Sequence, residues 1–163
     1  GLGYLAQDPS VFRGLTVRNN FMAILERMPF SRKERKQRLD AIIEDYDLGH
    51  VADNYGFRLS GGERRRVEVA RVLIPAPTHV LFDEPFAGID PIAVAELQKI
   101  ISSLRAKNIG VLITDHNVRE TLHICDRAYL IAEGQIFLEG APRDLVADVR
   151  ARKVYLGEKF HLD

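Results

Sequence analysis

Two short apolar runs, each released into polar residues at its carboxyl end, constrain this chain most. His79-Val80-Leu81-Phe82 follows Pro75 and Pro77 and ends at Asp83-Glu84-Pro85, while Ile109-Gly110-Val111-Leu112-Ile113 ends at Thr114-Asp115-His116. Unalternated apolar runs of this length predict strands buried on both faces, as in a parallel sheet. Between them a helix is predicted after Asp90, with Pro91 at its first position and Leu97, Ile100, Ile101 and Leu104 at helical spacing. Strand, helix, strand is the rhythm of a parallel α/β fold. Open sheets of that kind place their chemistry at the carboxyl ends of the strands. Here that means Asp83, Glu84 and His116.

The flanking regions read differently. Ala128–Ala132 and Gln135–Leu138 enclose Glu133-Gly134, a two-residue hairpin signal. A last helix is predicted near Pro142, carrying Leu145 and Val149, and the tail from Tyr155 to Asp163 has no period. From about Asn19 to Ile74 no strand is expected. Phe21, Ile24, Leu25 and Met28 form one helical stripe, and Leu39, Ile42, Ile43 and Tyr46 another. Ser31 and Glu34 have capping-box spacing, and the basic residues Arg32, Lys33, Arg35, Lys36 and Arg38 read as a solvated helix face.

Composition removes several function classes. The 163 residues correspond to one domain, and 23 Lys+Arg balance 23 Asp+Glu. A neutral chain lacks the basic excess of a general nucleic-acid binder. Cys125 is the only cysteine, which excludes a disulfide framework or a Cys-based zinc site. No apolar run approaches the roughly 20 residues that cross a bilayer. Gly1-Leu2-Gly3-Tyr4 lacks the layout of a signal peptide, so a soluble, reducing, cytoplasmic setting is expected. His50, His123, His161 and Cys125 show no ligand spacing and read as ordinary surface or core residues.

Three local signals carry chemistry. Leu59-Ser60-Gly61-Gly62-Glu63 precedes a helix with Val67, Ala70, Leu73 and Ile74 on one side. Glycines let the backbone approach closely, Ser60 supplies a hydroxyl, and the helix start carries positive partial charge, a combination that suits an anion. An ordinary capped helix explains the same residues equally well. Asp83 at the end of an apolar strand can hold Mg²⁺, and Glu84 beside it can polarise a water, although a strand ending in a polar turn is common. His116 can reach a phosphate oxygen, although a lone His is more often structural.

Order and spacing separate these readings. Gln7, Leu59-Ser60-Gly61-Gly62-Glu63, Asp83-Glu84, Asp90 and His116 follow one another as in the nucleotide-binding subunit of ATP-binding-cassette (ABC) transporters, which the chain resembles over nearly its whole length. Leu59–Glu63 resembles the signature motif, with Glu63 in place of the usual Gln. Val80–Pro85 resembles the Walker-B strand, with His79 polar where an apolar residue is usual. Gly88-Ile89-Asp90 is similar to the D-loop, Gln7 to the Q-loop glutamine and His116 to the switch histidine. Within the family, the runs Ser60–Glu68, Glu84–Pro91, Ile113–Leu122 and Val154–Glu158 are similar to the ATPase of lipopolysaccharide exporters. Branched-chain amino-acid importer ATPases share parts of this, the ending above all.

The resemblance implies an α/β P-loop NTPase (RecA-like) parallel-sheet core with an α-helical subdomain. About residues 8–75 would form that subdomain with the signature motif. About residues 76–163 would form the Walker-B, D-loop and switch half with the terminal hairpin and helix. It also implies a homodimer enclosing ATP and Mg²⁺. Asp83 and Gln7 would attend the metal, Glu84 would polarise water, and His116 would contact the γ-phosphate. Ser60, Gly61, Gly62 and Glu63 would bind the nucleotide of the other copy, and Asp90 would couple the two sites. The implied partners are transmembrane permease subunits on the cytoplasmic face of the inner membrane, with no nucleic acid and no direct membrane insertion. Residues after Gln7, through Phe12, Val17 and Phe21, would line a groove for a cytoplasmic permease helix.

One element is absent: the chain contains no Gly-x-x-x-x-Gly-Lys-Ser/Thr. The expectation is a chain without roughly the first third of the domain, and the start at Gly1 without Met points the same way. These 163 residues alone are therefore expected to be inactive and to bind ATP poorly, and the alternatives are a branched-chain amino-acid importer ATPase or an inactive remnant or dimerisation module. Chromosome-maintenance and DNA-repair ATPases share these motifs but insert a long coiled coil, which is not found between Gln7 and Leu59. A two-cassette translation-associated ATPase would need a second set of motifs.

Overall fold

Three parallel strands bring their carboxyl ends together. In the computed structural model, which describes residues 1–156, β1 (Leu2–Leu5), β2 (His79–Asp83) and β3 (Gly110–Thr114) pair in the order β1-β2-β3. Gly157, Glu158 and His161 lie outside the described residues. Leu5 pairs with Phe82 and Phe82 with Ile113, so the segments after each strand emerge side by side. Strand β1, only four residues long and interrupted by Gly3, offers no periodicity from which to predict it.

The sheet is covered on one face. Leu5, Val80 and Phe82 are buried, and a Cβ on Gly3 would come within 2.7 Å of Val72, which fixes that face against the helix preceding β2. On the opposite face, Tyr4, Leu81 and Leu112 share a row. Leu112 is 59% exposed and Tyr4 is exposed as well. The expectation that both apolar runs are buried on both faces is therefore corrected for β3. It is an edge strand here, and its burial alternates along its length.

Between β1 and β2 lie three α-helices, α1 (Val17–Leu25), α2 (Arg32–Asp45) and α3 (Gly61–Leu73), with two short 3-10 turns before α3. The two predicted stripes meet in a core of Val17, Phe21, Leu25, Leu39, Ile43, Val67 and Ala70. Burial of the Tyr46 hydroxyl against this cluster, with Asp45 nearby, pushes its pKa up to about 12. Of the basic residues of helix α2, Arg32, Lys33, Lys36 and Arg38 are exposed as the charge run predicts, while Arg35 is half-buried. After β2, helix α4 (Pro91–Ala106) starts on an Asp90 cap and buries Leu97, Ile101 and Leu104. Asn108, in the left-handed region at φ 55°, turns the chain into β3.

The described residues from His116 onward form a second compact unit. Its helix α5 (Val118–Leu122) precedes the hairpin of β4 (Ala128–Ala132) and β5 (Gln135–Gly140). Glu133 and Gly134 both have positive φ, 51° and 75°, the type I′ geometry that suits the strand twist. The predicted last helix is broken. Helix α6 (Pro142–Ala147) stops at Asp148, whose extended backbone and carboxylate cap the short α7 (Val149–Ala151). Leu145 is buried as predicted, but Val149 lies past the break and is 77% exposed.

Candidate active site

Because the strands are parallel and in register, Gln7, Asp83 and Glu84 converge beyond their carboxyl ends. Gln7 Nε2 donates to Glu84 Oε2 at 2.9 Å. Asp83 Oδ1 accepts from Thr114 Oγ1 at 2.7 Å, and its Oδ2 from the Tyr4 hydroxyl at 3.1 Å. That second bond makes the Tyr4 proton harder to remove and raises its pKa. Glu84 occupies the left-handed region at φ 44°, and its N–H donates to the Thr114 carbonyl at 2.7 Å. A non-glycine residue held there stores about 1–3 kcal/mol, so the surrounding bonds must impose it.

A second cluster forms where α3 begins. The Glu63 N–H donates to Ser60 Oγ at 3.3 Å and the Ser60 N–H donates to Glu63 Oε2 at 2.8 Å, a reciprocal capping box. Burial opposes ionisation of Glu63, but hydrogen bonds from Ser60 and from His50 outweigh it and hold the carboxyl below its ordinary range. His50, read from sequence as an ordinary residue, thus partners Glu63 at 3.2 Å. A Cβ on Gly62 would stand 2.6 Å from the Ala93 side chain, and one on Gly61 3.5 Å from the Gly88 carbonyl. This close approach brings Ser60–Glu63 against the turn that holds Asp90. Asp90 itself accepts from the N–H groups of Ile92 and Ala93 at 3.1 and 3.0 Å.

His116 is the first residue of the second unit, and its carbonyl accepts from the Val118 N–H at 3.0 Å. Of the expected groove, Val17 and Phe21 are fully buried core residues, because α1 turns that stripe inward. Exposed aromatics stand nearby instead. Tyr55 and Phe57 stack at 5.6 Å between centroids. Their segment is bonded to that of exposed Phe12 by Phe57 N–H to Arg13 carbonyl at 3.2 Å and Gly56 N–H to Leu15 carbonyl at 2.9 Å.

Sequence reasoning missed four supporting residues: Tyr4, Arg65, Glu68 and Thr114. Arg65 and Glu68 lie on the buried side of α3 as an ion pair at 3.1 Å. Their i,i+3 spacing among Val67, Val69 and Ala70 was the available signal.

Among the described residues no group of three or more His, Cys, Asp or Glu converges. One carboxylate flanked by hydroxyls fits Mg²⁺, which draws most of its shell from phosphate oxygens and water.

Residues 1–87 match the ABC transporter family. The chain belongs to that family. The lipopolysaccharide export system ATP-binding protein LptB of Haemophilus influenzae is 52% identical across 99% of this chain, which spans 68% of that protein. Among solved ABC proteins, cbiO1 of Clostridium perfringens, part of the transporter complex cbiONQ, superposes with a TM-score of 0.82 at 28% identity, over 96% of this chain and 64% of cbiO1. The ATP-binding cassette MJ1267 in its ADP conformation gives a TM-score of 0.79 at 28% identity, over 97% of this chain and 69% of its own. The chain thus has the α/β ABC ATPase fold and spans about two thirds of the length of these relatives. ABC ATPases hydrolyse ATP, and the family assignment makes this an ATP-binding subunit. No helix among the described residues is long and apolar enough to cross a membrane.

Proposed function

We propose that the protein hydrolyses ATP to power lipopolysaccharide export, working as a homodimer docked on transmembrane permease subunits at the cytoplasmic face of the inner membrane. The observation that carries the reaction is the Gln7–Glu84 hydrogen bond at 2.9 Å beside Asp83. Glu84 accepts the proton of the attacking water, and Gln7 fixes the plane of its carboxylate. Such a base contributes about 10²–10⁴-fold to a rate. Asp83, aimed by Tyr4 and Thr114, would hold Mg²⁺ with Gln7 close by. When bound, that ion supplies positive charge to the phosphate oxygens.

Ser60, Gly61, Gly62 and Glu63 receive the γ-phosphate of ATP held by the second copy, where the start of α3 favours negative charge. Asp90, packed against that glycine pair, passes the state of one site to the other, and His116 contacts the γ-phosphate. Exposed Phe12, Tyr55 and Phe57 offer the permease helix an aromatic contact. The lipopolysaccharide reading rests on the name and 52% identity of the Haemophilus influenzae relative.

The test uses the protein expressed from its full reading frame. Glu84→Gln should bind ATP with unchanged affinity and lose turnover. The wild-type frame should restore growth to cells depleted of their lipopolysaccharide-export ATPase, and Glu84→Gln should not. Wild-type hydrolysis by the variant would overturn the role of Glu84. An active enzyme that cannot replace the exporter ATPase would overturn the cargo.

A further inference from the structure

Arg65 is 6% exposed, and each of its five N–H donors has an acceptor. Nε donates to the Pro85 carbonyl at 3.1 Å. Nη2 donates to the carbonyls of Asp83 at 3.0 Å and Glu84 at 2.9 Å. Nη1 donates to the Ala6 carbonyl at 3.0 Å and to Glu68 Oε2 at 3.1 Å. Glu68, 1% exposed, uses its other oxygen to accept from the Ser10 N–H at 2.8 Å.

These anchors have a pattern. Asp83, Glu84 and Pro85 are the turn that holds the base at positive φ. Ala6 and Ser10 bracket Gln7. One ion pair on α3 therefore grips the backbone on both sides of the Gln7–Glu84 hydrogen bond. Burying an ion pair is a weak route to stability, since apolar residues of similar volume pack as well. Apolar residues could not bind four carbonyls. A lysine offers three donors from a single nitrogen, too few and too narrowly placed for this set.

We infer that Arg65, oriented by Glu68, is a positioning residue for ATP hydrolysis: it sets the Gln7–Glu84 geometry by binding the backbone of both segments at once. The inference rests on the reading of Glu84 as the base. It also makes α3, which begins at the signature motif, the element that aligns its own copy's base.

Arg65→Lys and Glu68→Gln, made in the full reading frame, test this beside Glu84→Gln. Displacing a reacting group by about 1 Å can cost about 100-fold in rate. Arg65→Lys should lower kcat between about tenfold and 100-fold per ATP-binding site, with KM for ATP changed less than about twofold. Amide hydrogen exchange at Glu84 and Ser10 should quicken in Arg65→Lys. Glu68→Gln should give the same pattern with a smaller fall, and it carries the test if Arg65→Lys does not accumulate as folded protein. Wild-type kcat in both variants, or activity lost only in proportion to ATP-binding sites, overturns the inference. If Glu84→Gln is inactive while the Arg65 and Glu68 variants match wild type, the positioning role alone falls. If Glu84→Gln turns over normally, the reading beneath it falls.

Discussion

Helices α2 and α3 begin with the same local device and end with different uses. Ser31 and Ser60 have nearly identical backbone angles, φ −64° and ψ 161° against φ −60° and ψ 166°. Each accepts from the N–H three residues on at 3.3 Å, and each glutamate answers at 2.7 or 2.8 Å. Yet α2 starts in solvent with Arg32-Lys33, while α3 starts on Gly61-Gly62 against Ala93 and Gly88. The capping box makes a helix start. Close packing at the first two positions, and the buried Arg65–Glu68 pair behind them, distinguish the start proposed to receive a phosphate from an ordinary one.

The sharpest way to break this contrast is at the second helical position. Gly62→Ala places a methyl 2.6 Å from the Ala93 side chain. Such overpacking costs about 1–3 kcal/mol. Lys33→Ala at the matching position of α2 should change stability by less than about 0.5 kcal/mol. Chemical denaturation of the two variants checks the difference. Equal effects would mean that α3 yields at no cost and that the glycine is not required by packing.

Removing each cap hydroxyl should have a smaller and more even effect. Ser31→Ala and Ser60→Ala should each cost about 1 kcal/mol. ATP turnover should fall only in Ser60→Ala. If Ser31→Ala depressed turnover as much, the assignment of Ser60 to the nucleotide would lose its support.

The smallest effect is on acid stability. Hydrogen bonds from Ser31 hold Glu34 below the ordinary glutamate range, and those from Ser60 and His50 overcome burial to do the same for Glu63. A depressed folded pKa means that the stabilisation is complete above the unfolded value and is lost as pH falls through the folded one. Glu34→Gln and Glu63→Gln should each flatten the drop in thermal midpoint on the acid side of the ordinary glutamate pKa. A wild-type acid limb in both would show that the boxes persist when protonated.

What was legible in the sequence was whatever short range decides. The Ser31 and Ser60 boxes, the Asp90 cap before Pro91 and the Glu133-Gly134 turn all depend on neighbours within a few residues. Asp83 and Glu84 could be read because an apolar run ends there. Gln7 owed its place to family resemblance, and its bond to Glu84, 77 residues away, depends on a parallel register that local pattern does not encode. Arg65 shows the limit most clearly. Inside Arg64-Arg65-Arg66 it looks like surface charge; its i,i+3 spacing to Glu68 allows an ion pair, but Arg64 stands at i,i+4 from the same residue, and only tertiary packing selects Arg65 for burial. The exposure of Leu112 had the same cause, because an apolar run says strand and does not say how many layers cover it.

Glu84 also sets stability against chemistry. At φ 44° the backbone asks for glycine or asparagine, and the proposed reaction asks for a carboxylate. Substitution by glycine or asparagine runs downhill in strain, and neither residue can take a proton. A lineage drifting free of selection for hydrolysis should therefore lose its base early, by changes that leave the protein folded or even firmer. The silent cassette would then be the more robust one, and activity the property that selection must keep restoring.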